Sequence, residues 1–226
     1  LESAVIVVHH LNNSRSQRVL WLLEELNLSY EVKRYARDKQ TMLAPAELKA
    51  VHPLGKSPVI SDGETTIAET GAIVTYLIDT YGHGALKPAA GTAAALRYDY
   101  WLHYAEGSAM PPLVMKLIFG EIPKSPQMPW LIRPIAKQIF GAVTKSYLDP
   151  QIATHVAFWE AELGKSAYFA GAELTGADVM MSFPVEAARA RGTLGPKVDA
   201  WIDGIHRRAA YKQALSRGGG YALRGG

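Results

Sequence analysis

One stretch, residues 52–70, HPLGKSPVISDGETTIAET, limits the possible folds of this chain more than any other. Pro53, Leu54, Gly55 and the Ser57-Pro58 pair interrupt regular structure ahead of a short apolar run, Pro58 to Ser61. Asp62-Gly63 is a strong hairpin-turn dipeptide, and a second strand over Thr65 to Ala68 follows it. That strand ends at Glu69-Thr70, where Thr70 reads as the N-cap of an apolar helix over Ala72 to Tyr81. An acid and a hydroxyl at a helix N-terminus leave unpaired N–H groups aimed at one place, which suits a small carboxylate. If the Ser57-Pro58 bond is cis, the Ser57 N–H and C=O turn outward, able to pair with an extended peptide as an added strand would.

The residues upstream supply the rest of a small sheet. Ala4 to His10 is a β-branched run that reads as a buried parallel strand, broken by Asn12-Asn13-Ser14. From Arg15 the pattern is helical, with Val19, Leu22, Leu23 and Leu26 on one face and Asn27 as a stop. Ser29 to Tyr35 alternates as a strand, and Arg37, Asp38 and Lys39 lie in a polar loop. A short helix follows around Pro45 to Ala50, with Pro45 suited to its first turn and His52 near its end. The order β-α-β-α-β-β-α is thioredoxin-like, with the first two strands parallel through a right-handed crossover and the last two antiparallel.

This arrangement resembles the N-terminal domain of the cytosolic glutathione transferases, and the resemblance runs the length of the chain; the bacterial and fungal serine-type group is the subset it looks most like. It implies a glutathione-binding domain at 1–82, a linker at 83–91 and an all-helical domain at 92–226 that contributes the electrophile site. By the same resemblance Lys56 meets the glycyl carboxylate of glutathione, Ser57 beside Pro58 the cysteinyl backbone, and Glu69 and Thr70 the glutamyl end. Lys39 is a further candidate for the glycyl carboxylate.

The loop from Leu11 to Ser16 joins the first strand to a helix N-terminus, where negative charge is favoured. Ser14 stands four residues before Arg18, the spacing at which serine-type transferases often place the serine that activates the thiol. Asn13 and Ser16 remain alternatives, since an amide also donates to a thiolate and either serine also serves as a helix cap. Lowering a thiol pKa by about 2 units from ~8.5 takes roughly 2.7 kcal/mol. One hydroxyl donor at about 1.5–3 kcal/mol and a helix terminus at about 0.3–1 kcal/mol suffice.

Composition sets the outer bounds. The chain has 226 residues, 48% hydrophobic, with 24 basic against 21 acidic side chains, a net charge of +3 too small and dispersed to indicate a nucleic-acid partner. It has no cysteine, so any thiol chemistry belongs to the ligand, and the cysteine-type transferases are excluded. The histidines form no metal motif, so no metal is expected. No secretory leader or apolar span of membrane length is visible, and a cytoplasmic location is the expectation.

The remainder reads as helices. Tyr98, Trp101, Leu102 and Ala105 share one face of a helix over Thr92 to Gly107, with Tyr100 and Tyr104 as a second aromatic row. Residues 108–134 carry six prolines, which argue against one continuous helix, and read as a hydrophobic cover over the electrophile site, an interface or a membrane-surface contact. The electrophile pocket implied by the resemblance takes His10, Tyr104, Met110 and Leu113. Thr175 with Asp178 is a capping-box variant opening a helix that Pro184 would kink. Val198, Trp201, Ile202 and Ile205 mark another helix, with Tyr211 to Leu215 as an extension and Gly218-Gly219-Gly220 as a loose tail. The function implied is a detoxifying glutathione transferase, a homodimer acting on a small hydrophobic electrophile or a peroxide. The alternatives are a glutathione-dependent peroxidase, lyase or isomerase, and a non-catalytic glutathione-binding or scaffold protein.

Overall fold

A computed structural model describes residues 5–38, 43–192 and 194–224, with the side chain of Arg224 left aside. Four strands form one sheet: β1 (Ile6–Leu11), β2 (Tyr30–Tyr35), β3 (Val59–Asp62) and β4 (Thr65–Ala68), in the order β2-β1-β3-β4. β1 runs parallel to β2 and antiparallel to β3, which is antiparallel to β4. Helices α1 (Ser16–Glu25), α2 (Ala46–Val51) and α3 (Thr70–Tyr81) complete a thioredoxin-like domain.

The alternation of β1 sorts the two faces. Ile6 and Val8 join α1, α3 and the helices beyond in the main core, whereas Leu11 packs with Tyr35 and Leu48 under α2. His9 lies on the α2 side, hydrogen-bonded to Tyr35 Oη at 2.8 Å and Ser61 Oγ at 3.0 Å, the satisfied core histidine expected where a buried imidazole has neighbours to pair with. Asn27, at φ 52°, ends α1 in the left-handed conformation that asparagine tolerates.

Three local details differ from the sequence pattern. Asp62 is the last residue of β3, paired with Thr65, so the two-residue hairpin loop is Gly63-Glu64 with Gly63 at φ 56°. Glycine in the first loop position supplies the positive φ there. Thr70 is the first helical residue of α3, and Glu69 caps the helix through its backbone at φ 71°. Pro45 likewise caps α2 rather than lying in its first turn.

The second domain is helical: α4 (Ala93–Tyr104), α5 (Met110–Glu121), α6 (Arg133–Val143), α7 (Asp149–Leu163), α8 (Gly176–Arg189), α9 (Pro196–Arg207) and α10 (Ala209–Gly218). Pro111 and Pro112 do not separate α4 from α5. A π-helical turn, Ala105–Ala109, joins them with the Met110 N–H bonded to the Ala105 carbonyl, and the prolines fall in the first turn beyond it. A second π turn, Thr144–Leu148, joins α6 to α7 in the same way.

Helix α8 is the domain's centre, with 13 of its 14 residues buried. Its first residue must be glycine, because a Cβ on Gly176 would lie 2.6 Å from Ile78 Cδ1 and 2.9 Å from Tyr98 Oη. The predicted capping box is formed. Asp178 accepts from the Phe169 N–H at 3.0 Å, the Thr175 N–H at 2.9 Å and Thr175 Oγ1 at 3.0 Å.

Arg208, extended at ψ 139°, separates α9 from α10, which is a helix of its own rather than an extension. The glycine tail is tied down rather than loose. Gly218 is buried where a Cβ would meet Gln17 Oε1 at 2.5 Å, Tyr221 Oη donates to Glu186, and the Ala222 N–H donates to Asn13 Oδ1 at 2.7 Å.

Asp178→Ala removes an acceptor shared by three buried donors. Unpaired buried donors cost about 1–3 kcal/mol each, so a loss of about 3 kcal/mol or more is expected, near 6–12 °C in Tm for a chain of this size. Urea or thermal unfolding of the variant checks it, and a loss under about 1 kcal/mol contradicts this account of the cap.

Candidate functional site

Sheet register brings the site together. His9 faces Val59 across the antiparallel β1–β3 pair, so the chain beyond Leu11 runs back alongside Ser57. Val59 faces Ala68 across β3–β4, so Ser57-Pro58 also lies alongside Glu69-Thr70. Three segments far apart in sequence thereby meet at one edge, at the N-termini of α1 and α3. The Ser57-Pro58 peptide bond is cis.

The contacts agree with that register. Ser14 Oγ lies 2.6 Å from Ser16 Oγ and 3.4 Å from Ser57 Oγ, which itself donates to the His9 carbonyl at 3.0 Å. Ser16 Oγ is 2.8 Å from His10 Nδ1. Thr70 is buried at the start of α3, while Lys56 and Glu69 are exposed beside the cleft and free to reorient toward a ligand. Lys39 lies outside the described residues.

Hydroxyl protons can be followed through this cluster. Burial pushes the His10 imidazole down to about 4, with the charge of Arg34 acting in the same direction and a backbone hydrogen bond to Gly218 acting against both. The ring is therefore neutral at pH 7, with one proton. Its Nδ1 shares a hydrogen bond with Ser16 Oγ, which also lies 3.4 Å from the Leu11 carbonyl. Where Ser16 donates to either of these acceptors, Ser14 is the donor in the 2.6 Å pair. Ser14 carries the hydroxyl at the cleft with a proton to redirect; Ser16 lies behind it.

The predicted electrophile residues separate. His10 is 2% exposed and sits behind Ser16 instead of lining a pocket mouth, because it ends a central strand beneath α10. Tyr104 is 8% exposed, and its hydroxyl accepts from Trp159 Nε1 at 3.1 Å and pairs with His155, so its polar end points into α7. Met110 and Leu113 are buried in the main core.

Two features of the site escaped the sequence reading. Asn13, at φ 53°, is held by the C-terminal segment through Ala222, so the tail braces the serine loop. Arg18 is buried, and its guanidinium donates to the Met180 carbonyl and to Glu106, which Arg15 also holds at 2.9 Å. Burial would raise the Glu106 carboxyl, but Arg18 and Arg15 outweigh it and hold the group below the usual carboxylate range. This cluster ties the helix behind the serines to the helical domain. Among the described residues no three histidine or acidic side chains converge as a metal site.

Fold and site together define a thioredoxin-like, cysteine-free domain with hydroxyls and a helix N-terminus around a peptide-sized edge, backed by a helical domain. Residues 3–79 match the family description "Glutathione S-transferase, N-terminal domain". Glutathione S-transferase 1 of Saccharomyces cerevisiae is 34% identical over 218 residues, covering 92% of both chains. Glutathione S-transferase 3 of Schizosaccharomyces pombe is 34% identical over 219 residues, covering 94% of this chain and 88% of that one. A crystal structure of a glutathione S-transferase from Actinobacillus pleuropneumoniae superposes with a TM-score of 0.75 at 32% identity, covering 98% and 97% of the two chains. The chain belongs to the glutathione S-transferase family.

His10 generates a pH dependence. Its folded pKa is depressed from 6.5 to about 4, so the unfolded chain binds more protons between these values, and stability is lost as pH falls from about 6.5 to about 4. The gap of 2.5 units corresponds to about 3 kcal/mol at most. His9 and His155, also lowered by burial, act in the same direction. Urea midpoints measured from pH 7.5 to 4.5 should fall, and His10→Gln should flatten the slope; an equal slope in the variant contradicts the assignment.

Proposed function

We propose that this protein is a serine-type glutathione transferase, which holds the tripeptide along the Ser57-Pro58 edge and stabilises its thiolate with the Ser14 hydroxyl. The observation that carries this reading is the 3.4 Å approach of Ser14 Oγ to Ser57 Oγ, residues 43 apart in sequence. Whatever pairs with the Ser57 backbone as an added strand therefore has its next side chain beside Ser14.

Each end of the tripeptide has a partner in this reading. Glu69 takes the glutamyl ammonium, and the Thr70 hydroxyl with the first N–H groups of α3 takes the glutamyl carboxylate. Ser57 pairs with the cysteinyl backbone, and Lys56 takes the glycyl carboxylate. The serine-type assignment rests on position: Ser14 lies beside Ser57 at the cleft, with Ser16 and His10 hydrogen-bonded behind it. Asn13 remains the alternative, because Ala222 holds its amide oxygen and leaves its NH2 to donate.

On binding, the thiol loses its proton to water. Ser14 turns its hydroxyl hydrogen from Ser16 to the sulfur, and the N-terminus of α1 adds its partial positive charge. The thiolate then attacks an electrophilic carbon, forming the S–C bond as the leaving group departs with its electron pair. The protein supplies positioning and a fixed donor, with no covalent intermediate on the enzyme.

The electrophile would enter between the serine loop and the π turn at Ala105–Ala109, the part of the helical domain that Arg15 and Glu106 bring closest to Ser14. In this proposal residues 1–82 hold glutathione, 83–91 link, and 92–226 cover the electrophile. Exposed Leu96 and Tyr100 on α4 support a homodimer. A cytoplasmic detoxifying role agrees with the chain's lack of cysteine.

The test is ultraviolet titration of the bound glutathione thiolate between pH 5 and 10, with turnover on 1-chloro-2,4-dinitrobenzene. The expected result is a thiol pKa one or more units below that of the free thiol, with Ser14→Ala losing most of that shift. One lost charge-assisted bond of about 1.5–3 kcal/mol corresponds to a 10- to 100-fold lower turnover with glutathione affinity nearly unchanged. Ser16→Ala should cost less, since it removes only the partner behind. Turnover unchanged in Ser14→Ala rejects the serine assignment.

A further inference from the structure

Helix α6 turns much of its apolar side away from the protein. Ile135, Ile139 and Val143 recur at helical spacing along one stripe, and Ile135 and Ile139 are each 57% exposed. Ala136 is the one buried residue of the helix, and Phe140 beside it meets Phe119 of α5 with ring centroids 5.1 Å apart. The turn before the helix extends the pattern, with Trp130 74% exposed and Leu131 and Ile132 exposed after it. A surface helix of a globular protein normally shows the reverse, its apolar side inward and its charged side outward.

Positive charge accompanies this apolar surface. Residues 116–145 carry five cations, Lys116, Lys124, Arg133, Lys137 and Lys145, against one carboxylate, Glu121, a net of +4 where the whole chain is +3. Lys116 is paired with Asp149 at 2.8 Å, and Lys124 with Glu121 at 2.8 Å. Among the described residues Lys137 and Lys145 have no carboxylate within ion-pair distance. Arg133 donates to the Met128 and Ser125 carbonyls, which leave its charge uncompensated and fix the loop that presents Trp130.

Both features lie at one end of the molecule. From Glu106, at the level of the serine loop, the chain climbs about 20 Å along the π turn and α5 to Glu121, so the Trp130 turn stands well away from the cleft. Adjacent exposed apolar side chains on this scale mark an interaction surface. Their company identifies the partner. A helix with an apolar stripe facing outward, lysines and an arginine around it and a tryptophan at its start has the composition of helices that lie in the plane of a membrane interface.

We propose that the outward side of α6 and the Trp130 turn dock on the surface of an anionic lipid bilayer, independently of glutathione. Trp130, Leu131, Ile135 and Ile139 enter the headgroup layer, and Arg133, Lys137 and Lys145 meet the anionic headgroups. The docking is peripheral, since no helix among the described residues is long and apolar enough to cross a membrane. A second copy pairing through this face would bring like charges together, and a zwitterionic bilayer offers the cations no net charge to meet.

Trp130 makes the test specific to this face, because the other four tryptophans, Trp21, Trp101, Trp159 and Trp201, are buried. The whole protein is titrated with phosphatidylcholine vesicles that contain phosphatidylserine and a brominated phosphatidylcholine, which quenches tryptophan that enters the bilayer. The expected result is saturable quenching with cosedimentation, weakened as salt rises, at least about 10-fold weaker without phosphatidylserine and unchanged by saturating S-hexylglutathione. Ile135→Asp with Ile139→Asp, and separately Lys137→Glu with Lys145→Glu, should each weaken binding at least about 10-fold. Neither pair should lower Tm, since all four side chains are exposed. The proposal is overturned if the protein stays in solution with phosphatidylserine vesicles, if it cosediments without quenching, if S-hexylglutathione releases it, or if both variants bind like the parent. It is also overturned if the parent ignores vesicles and Ile135→Asp with Ile139→Asp lowers the molar mass by light scattering, which makes the face an interface between copies of the chain.

Discussion

The antiparallel register of β3 between β1 and β4 is the constraint on which the site depends. A slip of one residue there would turn Ile60 out of the core and carry Ser57 away from Ser14, so the burial of an apolar side chain and the placement of a polar one are set together. Ile60 and Val59 are both fully buried, one on each face of the strand, so a one-residue slip would put either Ser61 or Pro58 in place of one of them. Chemistry at this edge is thus held by hydrophobic burial several residues away.

The serine loop itself has little apolar area, and it is held by polar contacts from three directions. His10 beneath it fixes Ser16, the C-terminal segment holds Asn13, and Arg15 reaches Glu106 on the helical domain. Arg18 extends that last contact into the core, where its guanidinium lies between α1, α8 and the π turn. Burying an arginine is costly unless its donors are paired, so the Arg18–Glu106 pair is better understood as fixing the orientation of the two domains than as a source of stability. The π turn at Ala105–Ala109 shifts the helix's register just where Glu106 must point at both arginines.

How much of this was legible depended on whether the signal was local. The β-α-β-α-β-β-α order could be read because period-2 and period-3.6 patterns and the Asp62-Gly63 turn are short-range, and the Thr175–Asp178 box because its partners are three residues apart. Thr70 was misread as a cap because threonine's usual preference was overridden by β4, which delivers Glu69 to the helix in a strained conformation at φ 71°. The six prolines between 108 and 134 do prevent one continuous helix, since α5 ends at Glu121 and α6 begins at Arg133, while Pro111 and Pro112 fall in the first turn of α5. The glycine tail looked loose because its partners, Gln17, Asn13 and Glu186, lie 35 to 209 residues away. His10 and Tyr104 were assigned to an electrophile pocket by position in a family pattern, whereas their hydrogen bonds face inward.

The stretch from 108 to 134 shows why composition alone could not assign a role. Met110 and Leu113 point into the core, while Met115, Leu117 and Ile118 on the same helix are exposed, so one apolar segment serves two environments. Helix α6 goes further, with Ala136 as its one buried residue and Ile135 and Ile139 facing outward. A helix of 11 residues with so little buried area cannot owe its persistence to packing on the core. It is held through its ends, by the π turn into α7 and by the contacts of Arg133 with the preceding loop. Apart from Ala136 and the contact of Phe140 with Phe119, its faces are exposed, and their residue types answer to what they meet outside the domain.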